Sequence, residues 1–197
     1  MTDNRLARQL AFLTEIDRAK TVLRQTLLCD RSRRENDAEH SWHLAMCASV
    51  LAEYAPPGVE LGRVLTMALV HDLVEIDAGD TFAYDEAGNA TKEARERTAA
   101  DRIYAMLPAE QGAYYRALWE EFDAMETPDA RFAAACDRLQ PFLNNLATGG
   151  HTWKLGHVRL SQVERRIGPV CALSPALRAF VEENLRDAVA RGWLLDA

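Results

Sequence analysis

A histidine and four carboxylates lie close together in the stretch "LVHDLVEIDAGD", residues 69–80. The stretch continues an apolar run, and charged side chains that enter such a run cost free energy unless a partner compensates them. On a helix, His71 and Glu75 are one turn apart, and Asp72 lies on an adjacent part of the helix surface. The pattern indicates a buried polar site, although a lone His-Asp pair is also compatible with an ordinary hydrogen-bonded pair in a core.

Two more polar residues stand where partners for this pair are needed. His40 lies in the first turn of a predicted helix, in "ENDAEHSWH", and Asp137 lies within an apolar helix, in "AAACDRLQ". Two histidines and two aspartates suit a divalent first-row metal. Four ligands from three helices leave positions for water or substrate, as a catalytic metal requires. We expect His40, His71, Asp72 and Asp137 to hold one divalent metal ion; the set does not distinguish Mn, Co, Mg, Zn, Fe or Ni.

The order of these residues resembles the H…HD…D signature of the HD-domain metal-dependent phosphohydrolases. The stretch "ENDAEHS" is similar to the EN-x-x-EHS of the bacterial 5′-deoxynucleotidase branch, and "HDLVEIDAGD" is similar to its HD-x-x-E-x-x-x-GD. The similarity covers about residues 20–150. It implies an all-α HD-domain fold and hydrolysis of a nucleoside 5′-monophosphate.

Two acidic residues near the His-Asp pair are candidates for catalysis. Glu75 is placed one turn beyond His71, where it can accept a proton from an attacking water without being a ligand. Asp80 follows the helix end and can assist or contact the sugar. By resemblance, Glu75 and Asp80 match the two acidic positions that the family uses outside the metal shell, whereas Asp77 has no match and reads as a loop residue. His43 is expected to support the site rather than to bind the metal.

Arginines are expected to meet the phosphate, because their planar fork matches its oxygens. Arg24, near the end of the first predicted helix, falls near a phosphate-contacting arginine of the 5′-deoxynucleotidases. Arg33 is a second candidate for contact with the phosphate. Arg33 and Arg34 are also compatible with an ordinary run of charged residues exposed to solvent. A tryptophan linked to preference for the deoxy sugar follows the family arginine, but Gln25 stands here, so the resemblance does not extend to strict deoxy selectivity.

Helical spacing of apolar residues extends along nearly the whole chain and predicts an all-α fold, with a central buried helix that carries the His-Asp pair. We expect one domain over residues 1–197, with the C-terminal helices, residues 158–192, appended to it. The first three predicted helices run from Leu6 to Leu27, at about 38–54 and at 61–76. A loop at 77–90 precedes a fourth helix, capped by Asn89 or Thr91. A fifth helix begins at Pro108, a sixth begins at Thr127 with a kink at Pro141, and a loop follows at 148–156.

The composition of the chain restricts the class of molecule that the protein is expected to bind. The chain has 197 residues, 48% of them hydrophobic, and a formal net charge of −7, which argues against a nucleic-acid-backbone binder. The four cysteines form no CxxC motif. The start of the chain has no apolar signal-peptide core, and no long apolar window predicts a membrane span. We expect a cytoplasmic protein that acts on a small nucleotide. A homodimer through the aromatic-rich fifth helix and the C-terminal helix is also expected.

Three alternatives to a monophosphate hydrolase stay open at this level. The same site suits a nucleotide di- or triphosphate hydrolase, or a cyclic-nucleotide hydrolase, because one fold hosts several reactions. A sensor that binds metal or nucleotide without turnover is the third. A sensor has no need for Glu75 outside the metal ligands, so this residue favours an enzyme.

Overall fold

The computed structural model describes residues 4–196 and confirms a mainly helical chain. It adds one feature, a small antiparallel hairpin of β1 (Leu23–Leu27) and β2 (Arg34–Asn36). None of the helices in these residues is long and apolar enough to cross a membrane. The α-helices are α1 (Arg5–Glu15), α2 (Asp37–Val50), α3 (Leu61–Val70), α4 (Glu75–Ala78), α5 (Glu86–Ala105), α6 (Ala109–Ala124), α7 (Pro128–Ala147), α8 (His151–Leu155), α9 (Leu160–Leu173) and α10 (Pro175–Ala190).

The prediction of one long helix from Leu6 to Leu27 is wrong in its second half. Helix α1 ends at Glu15, a 3₁₀ turn follows over Ile16–Thr21, and the chain then extends into β1. Strand β1 is stabilised by pairing with β2, and Arg34 of β2 also donates side-chain hydrogen bonds to the carbonyls of Leu23 and Arg24. Spacing within one segment does not reveal such pairing. The pairing places Arg24 on a strand rather than on a helix.

The predicted helix over 61–76 is central but interrupted. Val64, Met67 and Ala68 of α3 are fully buried, so the His-Asp pair does follow a core helix. After Val70 the backbone tightens into hydrogen bonds between residues three apart, such as Glu75 N–H to Asp72 C=O at 3.0 Å. The short α4 then ends at Gly79, whose φ of +75° suits glycine. The pair thus lies at the C-terminal end of α3, not in mid-helix.

Helix α7 packs between two hydrophobic clusters and carries Asp137. It begins as predicted, with the Thr127 side chain accepting a hydrogen bond from the Ala130 N–H at 3.1 Å and Pro128 in the first turn. Phe132 belongs to the cluster formed with α2, α3, α5 and α6, whereas Phe142 belongs to the cluster formed with α8, α9 and α10. Pro141 lies inside the helix and has no N–H for the Asp137 carbonyl.

Two other boundaries differ from the sequence prediction. Helix α5 begins at Glu86 because the Asp85 side chain caps it, accepting from the Gly88 N–H at 3.1 Å, rather than after Asn89 or Thr91. The predicted loop at 148–156 contains the short helix α8, which buries Trp153 in the second cluster. The burial of this large ring explains why the segment is ordered into a helix.

Candidate metal centre and active site

The start of α2 positions His40. A capping box fixes the first turn: the Asn36 side chain accepts from the Glu39 N–H at 3.0 Å, and the Glu39 side chain accepts from the Asn36 N–H at 3.1 Å. His40 follows this turn and is fully buried. Its Nε2 lies 3.0 Å from Oδ1 of Asp137 on α7, so two helices that are distant in sequence meet at this imidazole.

The His71-Asp72 pair completes the group. His71 Nε2 lies 3.1 Å from Asp72 Oδ2 and 3.8 Å from Asp137 Oδ1. His40 Nε2 lies 3.7 Å from the same Asp72 oxygen. His40, His71 and Asp72 therefore form a buried cluster with ligand atoms spaced as a metal ion requires, and Asp137 adds a carboxylate beside both imidazoles.

The hydrogen bonds of the two imidazoles assign their tautomers. His71 Nδ1–H donates to the Ala68 carbonyl at 2.9 Å, and His40 Nδ1–H donates to the Gln140 side-chain oxygen at 2.9 Å. When a ring is neutral, this leaves the lone pair on Nε2, the atom beside the carboxylates, available to a metal ion. His71 Nε2 is buried and has no hydrogen-bond partner within residues 4–196. This arrangement, with each outer nitrogen tied to a carbonyl-type oxygen, fits a divalent cation.

The pKa shifts in this group follow from burial and charge. Burial lowers the pKa of His71, but the charge of Asp72 and contacts with Asp137 outweigh it and raise the pKa to about 10. Burial raises the pKa of Asp137, but its contacts with His40 and His71 bring it well below the usual range. The aspartates are therefore anionic and favour a cation beside them.

Glu75 lies in the same cavity, although it is not part of that cluster. It is buried, and its Oε2 has no hydrogen-bond partner among the described residues. Its carboxylate, that of Asp72 and that of Asp37 place oxygens within 4.8 Å of one another. Burial, followed by the charge of Asp72, raises the Glu75 pKa well above its ordinary value. Glu75 is thus a carboxyl group of increased basicity.

Arg24 and Asp80 lie beside these carboxylates. Arg24 reaches in from β1, and its Nη1 donates to Asp72 Oδ2 at 2.7 Å and lies 3.8 Å from Asp80 Oδ1. Asp80 directly follows the sharp turn at Gly79. Burial raises the pKa of Asp80 more than the charge of Arg24 lowers it. The predicted residues Arg24, Glu75 and Asp80 are therefore brought together with the four predicted ligands.

Arg33 is not brought to this group. Its side chain is exposed and donates to Glu39 at 2.9 Å. It does not line the cavity above the ligands. The position of Arg33 therefore agrees with the alternative given for it above, a charged residue exposed to solvent. The predicted position of His43 behind the ligands also agrees with the structure, because its Nδ1 faces Gln140 at 3.0 Å.

Several residues of the site were missed by sequence reasoning. Asp37 is 1% exposed, and burial and the charge of Asp72 raise its pKa to about 8. In the sequence it reads only as a helix cap. Gln140 is fully buried, and the signal that identified Asp137, a polar residue in an apolar helix, applies to it equally. Lys92, Arg138 and Arg166 also line the cavity, and no sequence pattern distinguishes them from surface charges.

Aromatic rings form much of the remaining wall of this cavity of about 160 Å³. Phe122 of α6 packs against His71 with ring centroids 4.7 Å apart, and Leu118 and Trp119 of the same helix are buried. The other wall rings are Phe82, Tyr84, Phe142 and Trp153. Apolar walls around a few polar groups are typical of small-molecule sites.

Comparison with known proteins supports this description. The crystal structure of a predicted metal-dependent phosphohydrolase from Magnetospirillum magnetotacticum MS-1 shares 54% identity, covers 98% of this chain and 97% of that chain, and superposes with a TM-score of 0.92. An HD-domain phosphohydrolase from Listeria innocua has the same fold at 20% identity, with 92% of this chain and 90% of that chain covered and a TM-score of 0.59.

Curated relatives are more distant. Human 5′-deoxynucleotidase HDDC2 is 27% identical over 135 residues, which are 68% of this chain and 65% of the human protein, so the match spans just under two thirds of that relative. The dATP triphosphohydrolase of Cyanophage S-2L is 29% identical over 137 residues, 68% of this chain and 70% of the phage protein. A family model described as an HD domain matches residues 16–177. Because this match covers most of the chain and includes every predicted ligand, the protein belongs to the HD domain family.

Proposed function

We propose that this protein is a divalent-metal-dependent phosphohydrolase that releases phosphate from a small nucleotide, most simply a ribo- or deoxynucleoside 5′-monophosphate. The observation that carries the proposal is the convergence of His40, His71, Asp72 and Asp137 beside Glu75, whose Oε2 has no hydrogen-bond partner in the described part of the chain. The relative named as a predicted metal-dependent phosphohydrolase and the relatives named as 5′-deoxynucleotidases support it.

In this proposal His40, His71, Asp72 and Asp137 hold one divalent ion. When bound, such an ion polarises a phosphoryl oxygen and lowers the pKa of water. The hydrogen bonds from Nδ1 of both histidines would leave each Nε2 available to that ion. Asp72 is held in turn by Arg24, which donates to Oδ2, the oxygen nearest to His71.

Glu75 is the proposed general base. Hydrolysis of a phosphate monoester joins a water oxygen to phosphorus, breaks the phosphorus–oxygen bond to the sugar, and leaves a proton to be moved to the departing alcohol. Glu75 Oε2 is free to accept that proton, and the raised pKa makes it a better acceptor than an exposed carboxylate. Asp80, whose pKa is also raised, is placed to assist or to contact the sugar.

Sugar preference is part of the proposal. Gln25 lines the cavity next to Arg24, at the position where the deoxynucleotidase pattern has tryptophan. A polar amide accommodates a 2′-hydroxyl better than an indole ring does. We therefore expect the protein to accept ribonucleotides as well as deoxynucleotides.

The test is phosphate release from a panel of ribo- and deoxynucleoside monophosphates with Mn²⁺, Co²⁺, Mg²⁺ or Zn²⁺ added singly, with Glu75→Gln as the matched inactive control. We expect release by the wild type only with metal. The phage relative named as a dATP triphosphohydrolase favours nucleoside triphosphates as the second candidate, so triphosphates belong in the panel. No release from any nucleotide with any metal would replace the enzyme with the sensor alternative.

A further inference from the structure

Four cationic side chains line the cavity, and two of them are already neutralised by carboxylates. Arg24 Nη1 lies 2.7 Å from Asp72 and 3.5 Å from Asp37. Lys92 Nζ lies 3.4 Å from Glu96, one turn further along α5. These two cations have internal partners and balance the acidic side of the cavity.

The other two, Arg138 and Arg166, are different. Arg166 of α9 has one carboxylate within ion-pairing distance in the described residues, Oδ2 of Asp137 at 3.8 Å. Arg138 of α7 has none there; its Nη2 donates to the Met125 sulfur at 2.9 Å. Both arginines line the cavity beside Asp137, Arg138 as its neighbour on α7 and Arg166 through this ion pair.

The incomplete charge compensation of these two arginines indicates which kind of ligand the pair accepts. Arg138 has no carboxylate partner among the described residues, and the carboxylate near Arg166 is at 3.8 Å, so the positive charge of the pair is only partly compensated. An anion bound beside both side chains would compensate it. Both side chains remain partly exposed toward the cavity, so a ligand there can reach them. Two guanidinium forks present donors in the geometry that phosphate oxygens accept. The position of Arg166 beside Asp137 puts such an anion next to the proposed metal ligands.

We propose that Arg138 and Arg166 form a phosphate-binding pair that holds the phosphoryl group of a phosphate monoester beside Asp137. The proposal rests on the proposed function for the nature of the ligand, but binding of phosphate itself needs no turnover. It assigns to α7 and α9 the role that sequence reasoning gave to Arg33, which lies outside the cavity.

Inorganic phosphate is the probe for this pair. Its binding is measured by calorimetry with metal-loaded wild type, Arg138→Gln and Arg166→Gln, and the KM for a nucleoside monophosphate is measured alongside. Exposed arginines of the same helices supply matched controls, Arg131→Gln on α7 and Arg165→Gln on α9. Unfolding temperature and bound metal are checked for every variant.

We expect each cavity substitution to weaken phosphate binding and raise KM by about tenfold, the usual loss for one charge-assisted hydrogen bond, with both controls unchanged. Arg138→Lys and Arg166→Lys should recover part of the loss because they keep the charge. Phosphate affinity and KM equal to wild type in both glutamine variants would overturn the proposal.

Three further outcomes are distinguished. If the glutamine substitutions weakened phosphate binding but the wild type hydrolysed no nucleotide, the phosphate-binding pair would be supported and the proposed function would be refuted. Tripolyphosphate is a second probe. If the glutamine substitutions weakened the binding of tripolyphosphate but not of phosphate, the monoester assignment would be overturned and the pair would be assigned to a longer phosphate chain. Nucleotide turnover with an unchanged phosphate affinity would refute the pair alone.

Discussion

His40 and Gln140 are joined by a hydrogen bond of 2.9 Å between residues that are 100 positions apart in the chain. The Gln140 oxygen accepts from His40 Nδ1–H, while its nitrogen donates to Glu35 at 2.6 Å and faces His43 Nδ1 at 3.0 Å. These three contacts leave the amide one satisfactory orientation. The amide in turn fixes the tautomer in which His40 Nε2 is free for a metal.

Replacing Gln140 by Leu is therefore expected to weaken metal binding by about 10- to 100-fold, the usual effect of losing a hydrogen bond behind a histidine ligand. Calorimetric titration with Mn²⁺ measures this, and ¹⁵N NMR of the His40 ring reports the tautomer. Gln111→Leu removes a glutamine that pairs with Gln9 instead and serves as the control. Unchanged Mn²⁺ affinity in Gln140→Leu would show that Gln140 only fills the core.

Asp137→Ala tests the ligand that is most distant in sequence from the His-Asp pair. Its carboxylate lies 3.0 Å from His40, so bound metal should fall sharply. The residues that precede it on α7, Phe132 to Cys136, are buried and apolar, so the fold should persist. Elemental analysis gives the metal content, and circular dichroism gives the helix content. Asp187→Ala, at an exposed aspartate of α10, is the control. A full complement of metal in Asp137→Ala would exclude Asp137 from the ligand set.

Glu75→Gln separates proton transfer from metal binding. The substitution keeps the shape of the side chain but removes its basicity, so turnover should fall by roughly 10²–10⁴ while metal content and nucleotide binding stay near those of wild type. Asp77→Asn is a close control, because Asp77 lies two residues away and pairs with Arg102 at 3.0 Å outside the site. Loss of metal in Glu75→Gln would make Glu75 a ligand; normal turnover would leave Asp80 as the base.

Metal removal should lower thermal stability. An ion that binds only the folded state contributes about 2.7 kcal/mol at a concentration of about 100 times its Kd, and it also neutralises the repulsion among Asp72, Asp137 and Glu75. Differential scanning fluorimetry with a chelator and then with excess Mn²⁺ is expected to show a rise of several degrees in Tm. His71→Ala should abolish the rise, and a rise equal to wild type in that variant would place the stabilising ion elsewhere.

The homodimer expected from the sequence remains a prediction. Tyr114 on α6 is 48% exposed, whereas Leu118 and Trp119 are buried within the chain, so only some of the large side chains of this helix are available to a partner. Light scattering at working concentration should give twice the chain mass of 22.1 kDa. A mass near that of one chain would refute the dimer.

The sequence by itself determined the polar residues around which the site forms. His71, Asp72 and Glu75 lie within one helical turn, so any helical backbone brings them together. Asp137 was recognisable because a carboxylate in an apolar helix needs a compensating partner. The start of α7 was also recognisable, because Thr127 satisfies the N–H group of Ala130, only three residues away.

Only the tertiary structure decided what these residues face. Arg24 reaches Asp72 because β1 pairs with β2, and this pairing depends on a segment that local periodicity does not include. Gln140 and His40 are partners because α2 packs against α7. Arg138 and Arg166 face the cavity, whereas Arg33 faces solvent, because side-chain direction follows from helix packing and hairpin register. Local spacing records neighbours along the chain, but charge compensation and hydrogen bonding depend on neighbours in space.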